Sequence, residues 1–263
     1  MAVVRSIPLF IAIVFFVNAV GALKLTAEEL QALHEQCGKP LAHAHSGNQS
    51  HQADAPWAVR LQIGTKACTG SFISPRHILT ARHCVYHNWT EIPRADAKKC
   101  QKSHYLTRVD RITLSTVNTR ATTSCEVLLF EMCLPPSKIY DDIAVIELPF
   151  NHSVTNVRPV CLYTGIVPAH TKLTIAAFGT GKTALKMGSA TMIGQNDGQA
   201  FYPGFDSNVG REAGSSGASL TYTHNNGRSS ILGVVIRRKS DSFAISTNKQ
   251  NLDNICDFFN ICY

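Results

Sequence analysis

Charge is scarce in this chain. Only 16% of its 263 residues are Asp, Glu, Lys or Arg, against roughly 25% in an average protein. With 44% hydrophobic residues, that composition excludes wholesale disorder and a coiled coil. Its 17 Gly and 11 Pro are too few and too aperiodic for collagen. No internal repeat is visible. Beyond the N-terminus no stretch reaches the length of apolar residues that a membrane-spanning helix needs. Lys+Arg exceeds Asp+Glu by 25 − 18 = 7, yet the basic residues form no dense run, so a nucleic-acid site is not expected. That charge alone suggests one weak alternative, a defence protein that binds glycans or membrane surfaces. What remains is a globular protein large enough for one big domain or two small ones.

Cysteine is plentiful, with 9 residues, and the N-terminus explains why. Arg5 precedes the apolar run Ile7 to Val17, and the small residues Ala19, Gly21 and Ala22 follow. That is the layout of a secretory signal peptide over 1–22. The expected product is a secreted, extracellular protein without stable membrane insertion, whose cysteines mostly pair. An odd count leaves one thiol over. Sequons at Asn48, Asn88 and Asn151 fit the same route and mark candidate glycosylation sites.

Residues 23–55 are read as a short N-terminal helix and a linker. Thr26 and Glu29 have capping-box spacing, and Leu30, Leu33 and Cys37 share a face, which predicts a helix over 24–37. Gly38 to Pro56 is read as extended linker. His43, His45 and His51 cluster there, but no Cys or carboxylate completes a ligand set, so no metal is assigned. From Pro56 on, short apolar runs alternate with turn residues. Strands are expected near 57–63, 70–73, 112–117, 127–130, 143–148, 173–178, 231–236 and 243–245, with a helix within 247–259. Many short strands and few helices argue for an all-β barrel or sandwich. Gly179 to Thr183 imitates the end of a phosphate-binding loop, but Ala176 stands where that loop needs glycine, so a strand exit is the better reading.

Three segments bear the chemistry. Ile78-Leu79-Thr80-Ala81-Arg82-His83-Cys84 supplies a histidine, Asp141-Asp142-Ile143-Ala144-Val145-Ile146 an aspartate, and Gly214-Ser215-Ser216-Gly217-Ala218-Ser219-Leu220 a serine. A serine hydroxyl is a poor nucleophile at neutral pH and needs an adjacent base, and imidazole titrates in the right range. The order His, Asp, Ser is the chymotrypsin-type order.

At these residues the sequence resembles the trypsin-like serine peptidase superfamily, over roughly 56–256. Thr80 to Cys84 differs from the family's Thr-Ala-Ala-His-Cys only at Arg82. Asp142 to Ile146 matches its aspartate strand, whereas the serine motif matches only at Gly214, Ser216, Gly217 and Leu220. The long linker, the Cys-rich insert at 85–140 and the Cys256…Cys262 ending look most like a divergent roundworm branch of unassigned function. The resemblance implies two six-stranded antiparallel β-barrels, chymotrypsin-like, one over 56–155 and one over 156–263 with a C-terminal helix. It implies His83 as base, Asp142 as its orienting carboxylate (with Asp141 the neighbouring alternative), Ser216 as nucleophile, and the N–H groups of Gly214 and Ser216 as oxyanion hole. No cofactor is called for, the partner is a protein or peptide substrate, and the oligomeric state is unknown. Disulfides Cys68–Cys84 and Cys37–Cys161 are implied, while Cys100, Cys125, Cys133, Cys256 and Cys262 stay unassigned.

The sequence departs from the family where activation and specificity are set. Ser215 replaces the aspartate that receives the new N-terminus after processing, and no Ile-Val-Gly-Gly precedes Trp57. Two outcomes stay open: an oxyanion loop held by other contacts, or a misformed loop and a pseudoprotease that binds or regulates. Ala218 requires a negative φ. The positions aligned with the specificity pocket are Gly210, Glu212, Ile236, Arg237 and Arg238. They include no carboxylate at the pocket floor, and the two arginines are read as a solvated basic edge.

Overall fold

The computed structural model describes residues 24–41, 48–86, 104–130, 142–150, 152–163, 165, 167–179, 181, 184–192, 194–196, 199–201, 208–237, 243–246 and 249–262. The first sheet is a closed antiparallel barrel. Its strands are β1 (Ala58–Ile63), β2 (Lys66–Phe72), β3 (His77–Ala81), β4 (His104–Ser115), β5 (Arg120–Phe130) and β6 (Ile143–Glu147). They run in the order β1-β2-β3-β6-β5-β4, and β4 returns to pair with β1. β3 and β6 are buried along their whole length, which is why Ile143 to Ile146 read as a continuous apolar run rather than an alternating one.

The second sheet has six strands: β7 (Cys161–Leu162), β8 (Lys172–Phe178), β9 (Leu185–Thr191), β12 (Ser219–Thr223), β13 (Ser229–Arg237) and β14 (Phe243–Ser246). Their order is β14-β13-β12-β8-β9, with β7 parallel to β13. A small ribbon pairs β10 (Gly194–Asn196) with β11 (Gln199–Phe201). The result is the expected all-β, chymotrypsin-like arrangement. Strands β3, β7, β9, β10, β11 and β12 are not expected from the sequence: β3 abuts the histidine motif, β7, β10 and β11 are only two or three residues long, and β9 and β12 are rich in Gly, Ser and Thr. β4 and β5 are longer than expected. Alternate residues of that ribbon are exposed, so threonines such as Thr113 and Thr122, bonded across it at 3.0 Å, hide the apolar pattern.

Helix α1 (Ala27–Gln36) forms as expected, with Thr26 and Glu29 closing a complete capping box. It is stitched to the second sheet. Cys37 bonds Cys161, Gly38 N donates to Pro159 O at 2.8 Å and Gly38 O accepts from Ser229 N at 2.8 Å. Arg228 donates to the carbonyls of His34 at 2.8 Å and Glu35 at 3.1 Å, which are open acceptors at the end of a helix. The linker expectation needs correction: Asn48–Asp54 is a short helix, α2. Gln52 anchors it by donating to the carbonyls of Ala55 and Ala58 at 3.2 and 3.1 Å, so this polar stretch is folded against β1. His51 lies in α2, and His43 and His45 lie outside the described residues.

A short helix α3 (Arg82–Val85) follows β3, and α4 (Lys249–Phe259) closes the chain and buries Leu252, Ile255 and Phe259. The Cys68–Cys84 and Cys256–Cys262 disulfides are present, the second settling a pair that spacing had left open. Cys125 is unpaired and buried in β5, and burial pushes its thiol up to about 12. Cys100 and Cys133 lie outside the described residues.

Candidate active site

Strand register places the first two groups. β3 and β6 run antiparallel with Ala81 opposite Ile143. One residue further, Arg82 N donates to Asp142 O at 3.2 Å, and the chain turns into α3. That turn swings His83 over Asp142. The imidazole Nδ1 lies 2.6 Å from Asp142 Oδ2, and His83 N–H donates to Asp142 Oδ1 at 2.9 Å. Both carboxylate oxygens are thus engaged by one residue. An ionised carboxylate only accepts, so Nδ1 must bear the ring proton and Nε2 is left as the basic nitrogen. The Asp142 side chain is 17% exposed and that of His83 30%, so the carboxylate sits beneath a ring that still reaches solvent. Asp141, the alternative aspartate, lies outside the described residues.

The serine turn docks on β2 and the start of α3, with Gly217 tight against β3. Thr69 N donates to Ser216 O at 2.9 Å, and Cys84 Sγ, bound to Cys68, lies 3.8 Å from that oxygen. Gly217 N donates to Val235 O at 2.7 Å, and Val235 N to Ala218 O at 2.8 Å. Gly217 has φ +81°, and a Cβ there would stand 2.2 Å from Thr69 O, so only glycine fits. Ala218 is not among the residues with positive φ, which meets the condition its side chain imposed. The Ser216 main chain is therefore held against the residue that follows His83. Among the described residues no hydrogen bond links the Ser216 hydroxyl to the His83 ring.

Gly214 has φ +95°, a conformation open to glycine. Among the described residues nothing takes up the N–H groups of Gly214 and Ser216. A pair of open main-chain donors beside a serine hydroxyl is the arrangement an oxyanion hole requires. Ser215 is 1% exposed. Its hydroxyl reaches Gly210 O at 2.8 Å and Glu212 O at 2.6 Å, so the serine that stands in place of the family's aspartate is satisfied by neutral main-chain acceptors.

The remaining sequence-singled residues divide. Gly210 is buried in a 3-10 turn over Asn208–Arg211. Glu212 pairs with Lys186, which neutralises its charge locally. Ile236 is 2% exposed, and Arg237 pairs in register with Phe243. Arg238 lies outside the described residues. Cys68, His83 and Cys84 converge, but both sulfurs are locked in one disulfide, so the group offers no thiolate to a metal. Asn48 opens α2, while Asn88 and Asn151 lie outside the described residues.

The family model for trypsin matches residues 44–237. Among solved structures, the chain is similar to the Rv3671c protease in an inactive form, with TM-score 0.50 and 16% identity over 84% of this chain and 97% of that one. It is likewise similar to the scabies mite inactivated protease paralogue S-I1, with TM-score 0.54 and 14% identity over 77% of this chain and 94% of that one. At these identities the likeness concerns the fold.

Proposed function

This chain belongs to the trypsin family, and from that premise we propose that it is a secreted serine endopeptidase that works without an N-terminal activation ion pair. The observation that carries the proposal is the 2.6 Å contact between His83 Nδ1 and Asp142 Oδ2 beside the docked Ser216 turn. In the proposed reaction, His83 Nε2 takes the Ser216 proton as Oγ attacks the scissile carbonyl. The oxyanion is held by the N–H groups of Gly214 and Ser216, and the proton passes to the departing amine. Water then attacks the acyl-enzyme with His83 again as base, releasing the acid and restoring Ser216. Asp142 stabilises the imidazolium in both halves.

Ser215 supports the absence of an ion pair. A carboxylate there would be a buried charge requiring a cation, whereas a hydroxyl is satisfied by Gly210 O and Glu212 O. The three disulfides among the described residues support an oxidising compartment. Among the described residues no helix is long and apolar enough to cross a membrane. No cleavage specificity is assigned. A pseudoprotease is the second reading, favoured by the missing bond between Ser216 and His83. The two readings separate on a fluorophosphonate probe applied to the purified protein and to Ser216→Ala. Covalent labelling of the parent alone supports the enzyme, and labelling of neither supports the binder.

A further inference from the structure

Loss of the activation ion pair leaves a physical question: what holds the Gly214 peptide in place? The described residues supply a candidate on the opposite sheet. Thr69 lies on β2 and is fully buried. Its hydroxyl accepts from Phe178 N at 2.9 Å, on β8. Its single hydrogen has two acceptors in range, Gly214 O at 2.9 Å and Phe178 O at 3.4 Å. The shorter contact takes the proton, since an O–H···O bond weakens beyond about 3.0 Å. The same residue's N–H holds Ser216 O at 2.9 Å, and its carbonyl accepts from Thr80 Oγ1 at 2.8 Å. Thr69 thus grips the nucleophile turn at two points, one on each side of Ser215, while anchored to both sheets.

We propose that Thr69 is a positioning residue of the oxyanion hole, its hydroxyl fixing the Gly214 carbonyl so that the Gly214 N–H is preset without proteolytic activation. A held carbonyl sets the plane of the peptide after Gly214. The preceding peptide, which bears the Gly214 N–H, is oriented from that plane by the two Gly214 torsions, of which φ is +95°. The grip comes from the β2 hydroxyl and requires no free N-terminus, and the Ser215 hydroxyl secures the same loop through Glu212 O at 2.6 Å. Preorganised donors act because they need no rearrangement when the charge forms.

The inference rests on the endopeptidase reading, and the test separates the two. Parent, Thr69→Val and Thr69→Ser are compared by active-site titration with a fluorophosphonate and by turnover of a peptide ester mixture, with kcat expressed per titrated site. Thr69→Val removes the hydroxyl at nearly constant volume. The expected result is a kcat per site lower by about 10- to 100-fold, since a misplacement near 1 Å costs about that much, with KM changed less than about threefold and Thr69→Ser restoring most of the rate. Should Thr69→Val not fold, Thr69→Ala, which leaves room for a water, is read in its place and the same loss is expected. A purely structural Thr69 would lower the melting temperature and the fraction of titratable sites but leave kcat per site unchanged, and that result overturns the inference alone. A parent that the probe never labels overturns the endopeptidase reading, and this inference with it.

Discussion

Gly217 is the position where geometry makes the sharpest demand. Replacing it with alanine places a Cβ 2.2 Å from Thr69 O, 2.2 Å from Thr80 Oγ1 and 2.9 Å from Ala81 N. Two of those atoms are main chain and cannot swing aside. The turn must shift by about 1 Å to reach a normal non-bonded separation, and the Ser216 main chain, bonded to Thr69 N, shifts with it. A left-handed φ of +81° adds about 1–2 kcal/mol for a non-glycine residue, and overpacking about 1–3 kcal/mol. The expected total is about 2–5 kcal/mol, a large share of a typical domain's stability. Gly227→Ala supplies the control. Gly227 has a similar φ of +77° but nothing within 4 Å of the added carbon, so it should lose only about 1–2 kcal/mol. Urea unfolding of both variants isolates the clash as their difference, and fluorophosphonate labelling of Gly217→Ala should slow by about 100-fold. If Gly217→Ala matches Gly227→Ala within about 0.5 kcal/mol and labels at the parent rate, the docking of the serine turn on β2 and β3 is wrong.

Asp142→Asn keeps the shape of the carboxylate but turns a pure acceptor into a group with donors, so the His83 ring takes the wrong tautomer. We expect kcat to fall by about 10⁴-fold with KM nearly unchanged, and a loss under tenfold in steady-state kinetics would remove His83 from its role as base. Glu147 tests a site remote from the chemistry. Burial pushes its carboxyl up to about 7 from an ordinary 4.5, outweighing the lowering effect of the Arg76 guanidinium. The folded state then binds more protons than the unfolded one across that window. Stability should therefore fall as pH rises from 4.5 toward 7, by at most about 3 kcal/mol. Urea midpoints taken at about pH 5 and about pH 8 should show this slope in the parent and a flatter one in Glu147→Gln; equal slopes would refute it.

Local chemistry was enough to identify several features. The capping box of Thr26 and Glu29, the helix at the C-terminus, the apolar runs of β1, β6, β8 and β13, and the His-Asp-Ser order are all written in neighbouring residues, because caps, periodicity and motif spacing depend on contacts a few positions apart. The pairing of Cys37 with Cys161 and of Cys68 with Cys84 followed from the family resemblance. Long-range geometry decided the rest. Asp142 meets His83 because of the β3–β6 register, and a slip of one residue would reverse the side-chain faces. The folding of the linker as α2 depends on Gln52 finding two carbonyls of the following segment, which its polar composition concealed. The part played by Thr69 had no sequence signal: an isolated threonine in a strand becomes a clamp only when Gly214, 145 positions away, is brought to its hydroxyl. The chain by itself thus determined which chemical groups were available and in what order. Tertiary structure decided which of them touch, because hydrogen bonds and steric exclusion act over a few ångströms of space regardless of separation along the backbone.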